Sequence, residues 1–91
     1  MIIAKKVHIK GRVQGVFFRV NTKKKADELR IKGYVKNLDN GQVEAVFQGP
    51  EEKVKEMIKW CYQGSKDSQV KEVEIEIVRQ EERISNFQIY Y

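Results

Sequence analysis

The sequence predicts an α+β fold: a ferredoxin-like βαββαβ sandwich, with two helices on one face of a mostly antiparallel sheet. Three observations predict it. Apolar residues alternate over residues 3–10, 43–47 and 73–77, the period of strands. Two stretches of helical spacing separate these runs. Asp39-Asn40-Gly41 supplies a hairpin turn between the second and third strands.

Ile3, Val7 and Ile9 mark the first strand. Gly11 to Phe18 reads as a structured loop. Thr22, Ala26 and Leu29 then predict a helix over 19–32, with Gly33 as its C-terminal cap. Residues 33–38 form a short strand, and Val43, Ala45 and Phe47 mark the next. Pro50-Glu51-Glu52 opens the second helix, since proline and acids suit a first turn. Its Val54, Met57, Ile58 and Cys61 form one apolar stripe, and Gly64 ends it. Val73, Ile75 and Ile77 alternate with Glu72, Glu74 and Glu76, so an apolar face opposes an acidic one. Residues 84–90, with Phe87 and Ile89, give a last strand.

Ninety-one residues supply one domain, spanning 1–91. No apolar run approaches membrane length and no signal-peptide pattern opens the chain, so a soluble, cytoplasmic protein without a membrane partner is expected. The net charge of +5 favours anionic partners, though surface lysines kept for solubility give the same number. One cysteine and one histidine exclude a disulfide within the chain and make a metal site of either type an unexpected find.

The chemistry-bearing segment is Gly11-Arg12-Val13-Gln14-Gly15-Val16-Phe17-Phe18-Arg19. Gly15 permits a tight turn whose successive N–H groups converge on one hollow, and such a nest binds anions. The helix that follows adds its positive end. Arg19 offers a planar, permanently charged fork that matches phosphate oxygens. The Gly-Lys-Ser/Thr ending of a nucleotide-binding P-loop is absent. A plain strand–helix connection with an exposed arginine fits the same residues. In the second segment, Gly33-Tyr34-Val35-Lys36-Asn37 followed by Gly41, Val43 and Gly49, the candidate is Asn37. Its amide can hold water beside a phosphate without adding negative charge. Preparing the turn is its other reading.

Together the two segments resemble the acylphosphatase family. The first carries that family's Gly-x-Val-Gln-Gly-Val-x-Phe-Arg signature in full, and the second its Gly-aromatic-Val-basic-Asn motif with the later Gly, Val and Gly. The resemblance implies hydrolysis of the carboxyl–phosphate bond of a small acyl phosphate, with no metal and no cofactor. It makes Gln14, Gly15, Val16, Phe17, Phe18 and Arg19 the phosphate-binding element. Arg19 becomes the ligand of the phosphoryl oxygens, and Asn37 the residue that orients the attacking water. Such a reaction needs positioning and charge stabilisation more than a strong acid, because the leaving group is already good. Three positions depart from the common pattern: Phe17 stands at a variable place, Leu38 where many members have threonine, and Gly64-Ser65 where Gly-Pro is common.

His8 and Cys61 read as structural residues, and Trp60 and Tyr62 as packing at the edges of the second helix's stripe. Lys23, Lys24 and Lys25 read as a solvated face. An RNA-recognition module shares this topology, but its stacking aromatics are missing from the strand Gln42 to Phe47, which holds one aromatic and an acid. No nucleic-acid partner is expected, and a monomer is.

Overall fold

A computed structural model describes all 91 residues. The elements are β1 (Ile2–Arg12), α1 (Phe18–Glu28), β2 (Lys32–Asn37), β3 (Val43–Pro50), α2 (Glu51–Gln63), β4 (Gln69–Ile77) and β5 (Phe87–Tyr90). One five-stranded sheet has the order β4-β1-β3-β2-β5. Every pairing is antiparallel except β2 with β5, which is parallel, so the sheet is mixed.

Both helices lie on one face. α1 packs on β2 and β5, and α2 on β1, β3 and β4. The core between the layers is built from Val7 and Ile9 of β1, Val35 of β2, Val43, Ala45 and Phe47 of β3 and Phe87 of β5. The helices contribute Phe18, Ala26, Val54, Met57, Ile58 and Cys61. The alternation read from the sequence holds for Val7 and Ile9 of β1, Gly33 and Val35 of β2, and Val43, Ala45 and Phe47 of β3. Cys61 is fully buried, and burial pushes its thiol pKa far above the ordinary value. No helix is long and apolar enough to cross a membrane.

Three sequence expectations are corrected. First, α1 stops at Glu28, several residues before Lys32. Arg30 takes a left-handed φ of 58°. The Arg30 N–H donates to Asp27 O at 3.1 Å and the Ile31 N–H to Ala26 O at 2.9 Å. That is a Schellman ending with arginine where glycine is usual.

Second, Gly33 is therefore not a cap but a residue of β2. Its φ of +140° and its approach to β3 both require glycine, because a β-carbon there would sit 1.8 Å from Val46 O. Third, the apolar face of β4 is only partly covered. Val70 and Val73 pack against the core, while Ile75 and Ile77 are exposed. β4 is the sheet's edge strand, and its last residues bear no helix.

Candidate active site

Topology brings the two sequence segments together. β1 and β2 both run antiparallel to β3, so their C-terminal ends lie at the same edge of the sheet. Val43 pairs with Ile9 on one side and Asn37 on the other. Partners across a sheet share a face, so Asn37 continues the inward register of Gly33 and Val35. It leaves the apolar core at the point where the β1–α1 loop crosses.

That loop is held from several directions. The Gln14 side-chain amide donates to Leu38 O at 2.7 Å and to Gln42 O at 2.8 Å. These carbonyls bracket the turn after Asn37, where Leu38 N–H donates to Gln42 O. The buried Ser65 hydroxyl, just past α2, donates to Val16 O at 2.8 Å. Asn21 donates to Phe17 O through its side chain at 2.9 Å and its backbone at 3.1 Å. Phe18 is buried and meets the Trp60 ring at 5.5 Å between centroids.

These ties fix where the N–H groups point. A trans peptide places its C=O and N–H on opposite sides. With Val16 O drawn inward to Ser65, the Phe17 N–H is turned the other way. With Phe17 O drawn along the helix to Asn21, the Phe18 N–H faces out of the helix end. The N–H groups of Gln14 through Phe17 make no backbone hydrogen bond. α1 also begins without a side-chain cap and without an acid in its first turn. By contrast, α2 begins with Glu51 and Glu52. The α1 end is a positive terminus left open for an anion.

Phe17 itself adopts φ 61° and ψ 23°. The left-handed region costs a residue with a β-carbon about 1–2 kcal/mol, and Gly15 precedes it at φ 74°.

A cavity of about 310 Å³ opens between this loop and β2. Gly15, Arg19 and Asn37 line it, together with Val13, Phe17, Phe18 and Val20. Asn37 Oδ1 is buried and has no hydrogen-bond partner. An unpaired buried acceptor is costly, and Asn37 is also a lining residue of the cavity. The wall carries neither carboxylate nor imidazole. No group of three His, Cys, Asp or Glu side chains is placed to hold a metal ion.

The sequence reading did not anticipate the contacts at the C-terminal end of the chain. The Arg19 guanidinium lies over the Tyr91 ring, 5.0 Å from its centroid, and its Nη1 donates to Tyr90 O at 3.4 Å. Tyr90 in turn stacks on Tyr34 at 4.9 Å. No local signal announces these contacts, since the partners are some seventy positions apart in the chain. The bracing roles of the Gln14 side chain and Ser65 were missed for the same reason.

Other residues that stood out in the sequence lie elsewhere. His8 pairs with Glu44 at 2.9 Å on the helix-free face of the sheet. Tyr34 and Lys36 meet the same carboxylate there. Lys23 bonds Asp27 and Phe87 O, each at 3.0 Å.

Comparison with known proteins follows the same lines. The sequence profile of the Acylphosphatase family matches residues 5–89. An acylphosphatase of Natronomonas pharaonis is 52% identical over 68 residues, which cover 75% of this chain and 74% of that one. The crystal structure of acylphosphatase from Bacillus subtilis superposes with a TM-score of 0.93 at 34% identity, covering 100% of both chains. The structure of an acylphosphatase from Coxiella burnetii gives 0.93 at 36% identity, over 98% of this chain and 93% of that one. The chain belongs to the acylphosphatase family.

Proposed function

We propose that the chain binds the phosphoryl group of a small acyl phosphate between the Gln14–Arg19 loop and Asn37 and hydrolyses its carboxyl–phosphate bond. The Arg19 guanidinium and the free N–H groups of the loop bear on the three phosphoryl oxygens. These donors gain most in the transition state, when negative charge spreads over those oxygens. The Asn37 side-chain amide hydrogen-bonds a water and directs its oxygen at phosphorus. The new P–O bond forms in line with the breaking one, the carboxylate leaves with the bridging electron pair, and the water's proton passes to a phosphoryl oxygen of the product phosphate. Holding water and phosphorus in this alignment supplies much of the rate. The reading needs no metal and no cofactor. It takes residues 1–91 as one domain that works as a cytoplasmic monomer.

One observation carries the proposal: Gly15, Arg19 and Asn37, from the two motifs, line a single cavity. The test is hydrolysis of benzoyl phosphate in the presence of a chelator. Arg19→Gln and Asn37→Ala should each lose on the order of 10²-fold or more in kcat while keeping the wild-type circular dichroism spectrum. Full activity in both folded variants would refute the assignment.

A further inference from the structure

The cavity is lined by two chemically different sets of residues. Gly15, Arg19 and Asn37 are its polar lining, and Phe17 and Val20 are apolar lining residues that are also exposed to solvent. Phe17 precedes the first residue of α1 and Val20 lies three positions on, and both line the same cavity. Neither belongs to the core: Phe17 is 73% exposed and Val20 55% exposed.

The ring at position 17 has no structural justification. Its backbone is left-handed, a conformation that glycine would take without penalty. A large apolar side chain is held in a disfavoured conformation, in water, at the mouth of a site. Strain of this kind points to function when it lies beside a binding cavity. Arg19 is the only charged side chain on the wall. A second anionic group on the far part of a substrate would find no counterion there.

We infer that Phe17 and Val20 are the acyl-group subsite and that the chain selects acyl phosphates whose acyl part is uncharged and apolar, aryl or branched alkyl. The inference rests on the acyl phosphate reading given above. The phosphoryl group lies against the polar lining, and the anhydride oxygen spans to the apolar residues. There the acyl carbons cover the Phe17 ring and the Val20 methyls and remove both from water.

The experiment compares kcat/KM for benzoyl phosphate with kcat/KM for acetyl phosphate in the wild type, Phe17→Asn, Val20→Ser and the double variant. Asparagine tolerates the left-handed region, so the loop keeps its shape as the ring is lost. Any change in phosphate grip acts on both substrates and cancels in the ratio. The benzoyl-to-acetyl ratio should fall severalfold in each single variant and about tenfold in the double, the scale of a small hydrophobic contact in a pocket. A ratio within twofold of the wild type in both single variants would overturn the subsite. A wild-type protein that hydrolyses neither compound would instead remove the enzymatic reading beneath it.

Discussion

Gln14 donates its side-chain amide to the main-chain carbonyl of Leu38 at 2.7 Å, and this bond couples the β1–α1 loop to the strand end that carries Asn37. The same NH₂ group reaches Gln42 O at 2.8 Å, so one side chain holds both sides of the turn. The loop and the Asn37 amide are thus set at a fixed spacing by the Gln14 side chain.

Replacing Gln14 by alanine should loosen that spacing. Two carbonyls lose a donor, at a cost of about 2 kcal/mol, or about 10 °C in Tm for a chain of this size. The kcat for benzoyl phosphate should fall about tenfold, because misaligned water is penalised steeply. Gln14→Glu should do no better, since a carboxylate accepts and cannot donate to a carbonyl. Thermal melts and steady-state kinetics on both variants check this.

Tyr91 should matter to anion affinity through Arg19. An exposed cation–π contact contributes about 0.5–1 kcal/mol. Tyr91→Ala should therefore raise the inhibition constant of inorganic phosphate about two- to fivefold, and Tyr91→Phe should retain the wild-type value. Equal weakening in both variants would point to the hydroxyl rather than the ring.

Two glycines with positive φ should respond differently to alanine. At Gly33 a β-carbon meets the Val46 carbonyl oxygen, part of the adjacent strand's backbone, at 1.8 Å. Gly33→Ala should cost more than about 4 kcal/mol and leave little folded protein. At Gly41, φ +89°, a β-carbon meets nothing within 4 Å. Gly41→Ala should lose about 1 kcal/mol from the backbone alone. Urea denaturation of the pair separates the two effects.

Acid should destabilise the fold through Glu44. Burial disfavours its charged form, but hydrogen bonds from His8 and Tyr34 and the charges of Lys36 and Lys6 outweigh that and hold its pKa below the ordinary 4.5. A depressed carboxyl pKa adds stability that is complete above the unfolded value and disappears as pH falls through the folded one. The urea midpoint of the wild type should exceed that of Glu44→Gln at pH 7, and the gap should close as the pH is taken well below 4.5. A gap that persists unchanged in acid would assign the effect to packing.

Periodicity made the layers legible. The stripe Val54, Met57, Ile58 and Cys61 and the inward residues of β1 and β3 are buried as their spacing requires. The residues of the cavity were legible too, because Gly15, Arg19 and Asn37 sit in two contiguous motifs. The end of α1 was not. An arginine in the left-handed region reads as ordinary helix, while Gly33 attracts the role of cap although tertiary contact with Val46 explains it. The exposure of Ile75 and Ile77 was hidden for a related reason. Alternation identifies the apolar face of a strand but not whether a helix reaches it. Bracing by Gln14, Ser65 and the C-terminal tyrosines depends on which segments the topology places side by side.

The pocket's lining, drawn from residues 13–20 and Asn37, is braced by three further stretches of chain: the turn after Asn37, Ser65, and the tyrosines beyond Gln88. No contiguous fragment contains all of them. Turnover is accordingly a sensor of completed folding, more demanding than helix content. On dilution from denaturant, recovered hydrolysis should not precede the return of ellipticity, because the contacts around the site join segments up to 71 positions apart.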